Sequence, residues 1–125
     1  MKRLITFIAI LYGQITVLHA KETSMEVTAT AYNSLPSQTT QKNPSLTAWG
    51  DTLKPGMKAV AVSRDLIKLG LKHNTKISIK GLDGEYVVLD KMNKRWTKKI
   101  DIYMGLNQRA AKKWGKRKVS ISWDQ

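Results

Sequence analysis

Residues 84–105 read GEYVVLDKMNKRWTKKIDIYMG and carry the strongest fold signal in the chain. Its two apolar runs, YVVL and IDIYM, have strand character, and each carries an aspartate at its polar edge, Asp90 and Asp101. A carboxylate directly beside a buried strand is held by rigid backbone at the surface, where it meets ligands. Between the two aspartates lie Lys91, Lys94, Arg95, Lys98 and Lys99, together with Trp96. Acid groups beside an aromatic ring, on a chain otherwise strongly basic, point to a site rather than a solvated face.

Upstream, residues 75–80 alternate around Ile77 and Ile79, and GLDG at 81–84 joins them to residues 85–89 as a hairpin. Residues 58–62 form a short apolar strand, and Ser63-Arg64-Asp65 caps a single helical turn, DLIKL, that Gly70 stops. Residues 26–32, EVTATAY, alternate in strand fashion, whereas 33–46 are polar, contain Pro36 and Pro44, and read as a loop flanking a groove. TAWGD at 47–51 and the turn signal Lys54-Pro55-Gly56 follow. Downstream, residues 100–103 form a strand, and Leu106, Ala110 and Trp114 fall on one face of a helix that Gly115 terminates. Val119, Ile121 and Trp123 then alternate in a last strand. Six or seven short strands, one helix and one helical turn in a chain of this size fit a small closed barrel better than a sandwich or a βαβ sheet. Closure also protects strand edges.

The composition bounds the partners. The chain has 125 residues, 22 Lys and Arg against 9 Asp and Glu, a formal charge of +13, and no cysteine. Residues 1–20 read as a secretory signal peptide: Lys2 and Arg3 precede a broken apolar run, and Leu18-His19-Ala20 supplies a small residue for cleavage. The competing reading is an uncleaved anchor, although the run is short for a membrane span. Cleavage after Ala20 leaves 105 residues (125 minus 20), enough for one domain at 21–125, with no second hydrophobic segment and so no transmembrane segment in the mature chain. Such a domain relies on core packing and backbone pairing without disulfides. The positive charge predicts attraction to polyanions, and export favours anionic envelope polymers over nucleic acid.

Scarcity excludes chemistry. Without cysteine, and with His73 as the one histidine outside the leader, zinc sites and Cys–His catalysis are ruled out, and a Ser–His–Asp arrangement would have to use His73 in the turn-like LKHNT. Nothing suggests a metal or an organic cofactor. Asp51 and Asp83 sit in turn contexts, and Trp114 and Trp123 fall on core periodicities. Trp49 and Trp96 sit among polar residues and have the better claim to a ligand.

The ordered set SRDLIKLG, VVLD, IDIYMG, A-x-x-W-G and VSISW, preceded by TATAY and TAWGD, resembles the three-aspartate, or 3D, domain. That domain is a double-psi β-barrel, found in the catalytic region of the membrane-bound lytic transglycosylase A family and in small secreted wall-remodelling proteins. The resemblance runs from about Val27 to Trp123 and places the family aspartates at Asp65, Asp90 and Asp101. It implies that Asp101 protonates the glycosidic oxygen between N-acetylmuramic acid and N-acetylglucosamine in peptidoglycan, then takes a proton from the muramic C6 hydroxyl to close a 1,6-anhydro ring. Asp90 would orient Asp101 or stabilise the oxocarbenium-like transition state, and Asp65 would support the site from a neighbouring loop. Trp96, Trp49 and Tyr103 would stack on sugar faces, while Arg95, Lys98 and their neighbours hold substrate carboxylates.

The chain departs from the family where the usual D-x-G-x-x-I-K-G is replaced by Asp90-Lys91-Met92-Asn93-Lys94-Arg95-Trp96-Thr97, and SRDLIKLG lacks the usual Asp-Pro pair. Bulky groups in place of glycines imply a narrower groove, a changed substrate or a non-catalytic binder. Three readings therefore stand: a lytic transglycosylase acting as a monomer on peptidoglycan glycan strands, a peptidoglycan-binding module of the same fold, and a basic exported protein that binds nucleic acid or another polyanion.

Overall fold

The computed structural model describes residues 21–35 and 43–125; the expected leader and Pro36 lie outside them. Six strands and two short helices follow in order: β1 (Glu22–Tyr32), β2 (Ala59–Val62), α1 (Arg64–Lys68), β3 (Lys76–Ile79), β4 (Glu85–Lys91), β5 (Lys99–Tyr103), α2 (Gln108–Trp114) and β6 (Arg117–Asp124). The strands close into a barrel in the order β1-β5-β2-β4-β3-β6. β1 runs parallel to β5 and β2 parallel to β4, whereas β2 and β5 are antiparallel. The molecule is thus mainly β and has the make-up of a small double-psi barrel.

Alternation along each strand sorts the side chains. Val27, Ala29, Val60, Val62, Ile77, Ile79, Val88, Ile100, Ile102, Val119, Ile121 and Trp123 form the barrel core, plugged by Leu66 and Leu71 from α1 and the turn after it. Each large aliphatic side chain buried there contributes about 1.5–3 kcal/mol, which is how a domain without a cross-link holds together. The opposite face of the same strands builds a satellite cluster of Leu53, Ala59, Leu89 and Tyr103, with Tyr32 and Val87 against it. Leu53 comes from the segment before β2, which folds back on itself through a bridge between Leu46 and Thr52.

Two features differ from the sequence reading. Leu106 lies ahead of α2 and is exposed, because Asn107 caps the helix by accepting a hydrogen bond from the Ala110 amide at 3.0 Å. Trp114 packs on the core as expected, and its indole Nε1 donates to the Ala29 carbonyl at 3.2 Å. Asp90 and Asp101 lie within β4 and β5 rather than at their ends, since both strands continue past the apolar run.

Candidate active site

The two aspartates reach one face of the barrel by different routes. On β5, Ile100, Ile102 and the core lie on one side, and Asp101 and Tyr103 on the other. On β4, simple alternation after Val88 and Leu89 would turn residue 90 inward. A register shift between Val60 and Ala61 prevents this: Val60 pairs with Val88, but Ala61 pairs with Asp90, leaving Leu89 as the extra residue. This is a β-bulge, and it moves the carboxylate from the core face to the outer face.

Ala61 is the hub of the site, pairing with Asp90 on one side and Asp101 on the other. Asp101 in turn pairs with Thr30 of β1. Thr30, Asp101, Ala61 and Asp90 therefore form one row across four strands. The backbones carrying the carboxylates stand roughly 10 Å apart, two strand spacings of about 4.8 Å. A methyl at position 61 leaves the space between the two side chains open.

That space belongs to a groove of about 560 Å³, lined by Tyr32, Ala61, Asp90, Met92, Trp96, Asp101 and Lys112, among others. Asp101 accepts a hydrogen bond from the Thr30 hydroxyl at 3.0 Å. Burial pushes its carboxyl above the ordinary value, with the nearby charge of Asp90 adding to the rise; the Thr30 hydrogen bond and Lys99 oppose it. Asp90 accepts from the backbone amides of Ala48 and Lys91, both at 2.9 Å. Burial raises its carboxyl too, helped by Asp51 and opposed by those two amides and by the Lys91 charge. The site thus contains two acids that hold their protons to higher pH than a surface aspartate.

The other expected site residues are dispersed. Asp65 sits in the first turn of α1 and does not line the groove; its Oδ2 accepts from the Lys98 amide at 2.9 Å. Burial works to raise its carboxyl, but hydrogen bonds from Ser63 and the Lys98 amide outweigh it, and the net shift is downward. Asp65 therefore braces the chain just ahead of β5. Trp96 lines the groove and is 36% exposed, with the Lys99 Nζ 3.6 Å and the Arg95 guanidinium carbon 4.8 Å from its ring centre. Lys98 has a left-handed φ of 45° and faces a separate hollow beside Glu26 and Lys118.

Two stacking assignments are corrected by packing. Tyr103 is 3% exposed, and its hydroxyl is hydrogen-bonded to Ser34 at 2.8 Å, so it offers no open ring to a sugar. Trp49 packs against the core and against His73, with ring centroids 4.9 Å apart, and is not part of the groove wall.

The sequence reading missed Tyr32. Its ring meets Tyr103 with centroids 5.5 Å apart, and its hydroxyl is buried with no hydrogen-bond partner among the described residues. Burial, then the charges of Asp90 and Asp101, push its ionisation far up, so it stays a neutral phenol. The alternation in TATAY was the available signal, because it puts Thr30 and Tyr32 on the outer face together. Among the described residues, no group of three or more His, Cys, Asp or Glu is arranged to hold a metal ion. None of their helices is long and apolar enough to cross a membrane.

No family model matches the chain, and no curated protein matches it. Among solved structures, an apo expansin from Clavibacter michiganensis is similar to it with a TM-score of 0.48 and 18% identity, over 81% of this chain and 49% of that one. A mutant of the same expansin in complex with cellohexaose gives a TM-score of 0.48 and 16% identity over the same shares. This chain spans about half the length of those two chains, 49% in each case.

Proposed function

We propose that the protein is an exported enzyme that cleaves peptidoglycan glycan strands by lytic transglycosylation, with Asp101 as its acid and base. The observation that carries this reading is the convergence of Asp90 and Asp101 on one groove, with both carboxyls raised above the ordinary aspartate value. A general acid must hold its proton near working pH, and burial beside a second carboxylate is one way to arrange that.

In the proposed reaction, protonated Asp101 gives its proton to the glycosidic oxygen, and the bond from that oxygen to the muramic C1 breaks. Asp90, as a carboxylate, faces the positive charge that develops on the ring. The Asp101 carboxylate then takes the proton of the muramic C6 hydroxyl as its oxygen bonds to C1. The products are a 1,6-anhydro sugar and a free hydroxyl on the leaving strand. No water is consumed, so a two-carboxylate hydrolase geometry with a bound water is not required. Trp96 supplies an apolar face for a sugar, and Lys91 and Lys112 lie within reach of acidic substituents along the groove.

Digestion of purified peptidoglycan, followed by mass spectrometry of the soluble products, tests this reading. Anhydro-muropeptides support it. Binding without release of any product supports the second reading, a wall-binding module. That reading draws on the bulky side chains of Met92 and Trp96 in the groove wall, which stand in the segment where the family has glycines.

A further inference from the structure

We propose that His73 is a positioning residue for Asp90, clamping the turn whose backbone amide holds that carboxylate. The inference deepens the glycan-cleaving reading of the groove and rests on it for its functional meaning. The physical coupling itself can be tested without any substrate.

The clamp is built from three contacts made within the 47–51 turn. Trp49 stacks on the His73 ring, with centroids 4.9 Å apart. His73 Nε2 meets Asp51 Oδ2 at 2.6 Å. A carboxylate only accepts, so Nε2 carries the proton and donates it into this bond. Immediately before Trp49, Ala48 directs its amide at Asp90 Oδ1, 2.9 Å away. The turn is closed on itself: Thr47 N donates to the Asp51 carbonyl at 2.9 Å, and Asp51 N donates to the Thr47 hydroxyl at 2.9 Å. Gly50 completes it with a φ of 89°, in the left-handed region that favours glycine. These internal bonds leave the Ala48 amide free to serve Asp90.

His73 is itself tied to the strand it serves. Asn74 N donates to the Val88 carbonyl at 2.8 Å, and Val88 N donates to the Thr75 carbonyl at 2.9 Å. The turn bearing the imidazole is therefore pinned to β4 two residues before Asp90. A short loop runs from β4 through His73, Asp51 and the Ala48 amide back to β4. Among the described residues, the hydrogen bonds and ring contacts that link the 47–51 turn to the 72–75 turn are those of the His73 imidazole. The charges around this loop are Asp51 against the ring, Lys72 beside it in sequence, Lys91 with its Nζ 6.0 Å from the Trp49 ring, and Asp90 beyond Ala48.

The Ala48 amide lowers Asp90's proton affinity, and the Asp51 charge raises it. Replacing His73 by Ala loosens the first influence and leaves the second without a donor, so both changes push the Asp90 titration upward. Hydrogen–deuterium exchange and carboxyl carbon NMR titration of the labelled protein read this directly. For His73→Ala, the Ala48 amide should exchange about tenfold faster and the Asp90 midpoint should rise, while Asp101 moves less. His73→Gln, which keeps a donor for Asp51, should restore most of the Ala48 protection. Ala48 exchange and an Asp90 midpoint unchanged in His73→Ala would overturn the clamp, whatever the protein does to glycan. An intact NMR signature with no cleavage by the wild-type protein would instead count against the enzymatic reading alone.

Discussion

Asp90 and Asp101 pair with the same residue, Ala61, from opposite sides, so the strand between them carries only a methyl where their side chains meet the groove. This relationship depends on the bulge at Leu89. Barrel closure fixes the spacing of the three strands, and the bulge fixes which face Asp90 occupies. Rigid strands, rather than loops, therefore set the distance between the two acids.

Filling that space should separate chemistry from folding. Ala61→Val adds two methyl groups between the carboxylates, at a position that is only 6% exposed. Overpacking of this kind costs about 1–3 kcal/mol, so the barrel should survive with a lowered Tm while glycan cleavage is lost. Circular dichroism melting and product release, measured on the same sample, check both halves.

Asp101→Asn should lower turnover by roughly a hundred- to ten-thousandfold, the usual worth of a positioned general acid. Stability should change in the opposite sense. Because Asp101's folded pKa is raised, its ionisation opposes folding as pH climbs through the unfolded and then the folded value. The asparagine variant should therefore melt higher than wild type near neutral pH, with the gain vanishing below about pH 3.9. Melting curves at the two pH values decide this.

The neighbouring acid gives a signed pH prediction. Asp90's charge helps raise Asp101, so Asp90→Asn should let Asp101 ionise at lower pH. Wild-type activity should fall as pH rises through the Asp101 midpoint, and in Asp90→Asn that fall should begin at more acidic pH. Rate profiles under single-turnover conditions reveal the displacement.

Tyr32→Phe removes a buried hydroxyl that lacks a partner among the described residues. Leaving such a group unsatisfied costs about 1–3 kcal/mol, so the variant should be more stable than wild type. A gain in Tm accompanied by reduced cleavage would mark the hydroxyl as kept for the groove at the expense of the fold.

The elements were readable from the sequence because period-2 patterns such as KISI, YVVL and VSISW leave few alternatives, and glycines end the helical segments. Asp90, Asp101 and Trp96 were readable as groove residues because each breaks an apolar or basic run. The bulge was not. Nothing in VVLD marks Leu89 as the extra residue, since bulging is decided by pairing with β2, about thirty positions away in sequence. The burial of Tyr103 was hidden for a similar reason: its partner Ser34 lies 69 residues away. His73 and Asp51, 22 residues apart, both read as turn residues, and only the folded chain brings them to 2.6 Å.

Mass-spectrometric analysis of peptidoglycan strands incubated with wild-type protein and with Asp101→Asn decides whether Asp101 drives lytic transglycosylation. Wild type should give 1,6-anhydromuramic ends, the variant at least a hundredfold fewer, and neither should incorporate oxygen-18 at the muramic C1 from labelled water. Reducing ends carrying the label, or equal product from both proteins, would rule out Asp101 as the acid of a lytic transglycosylase.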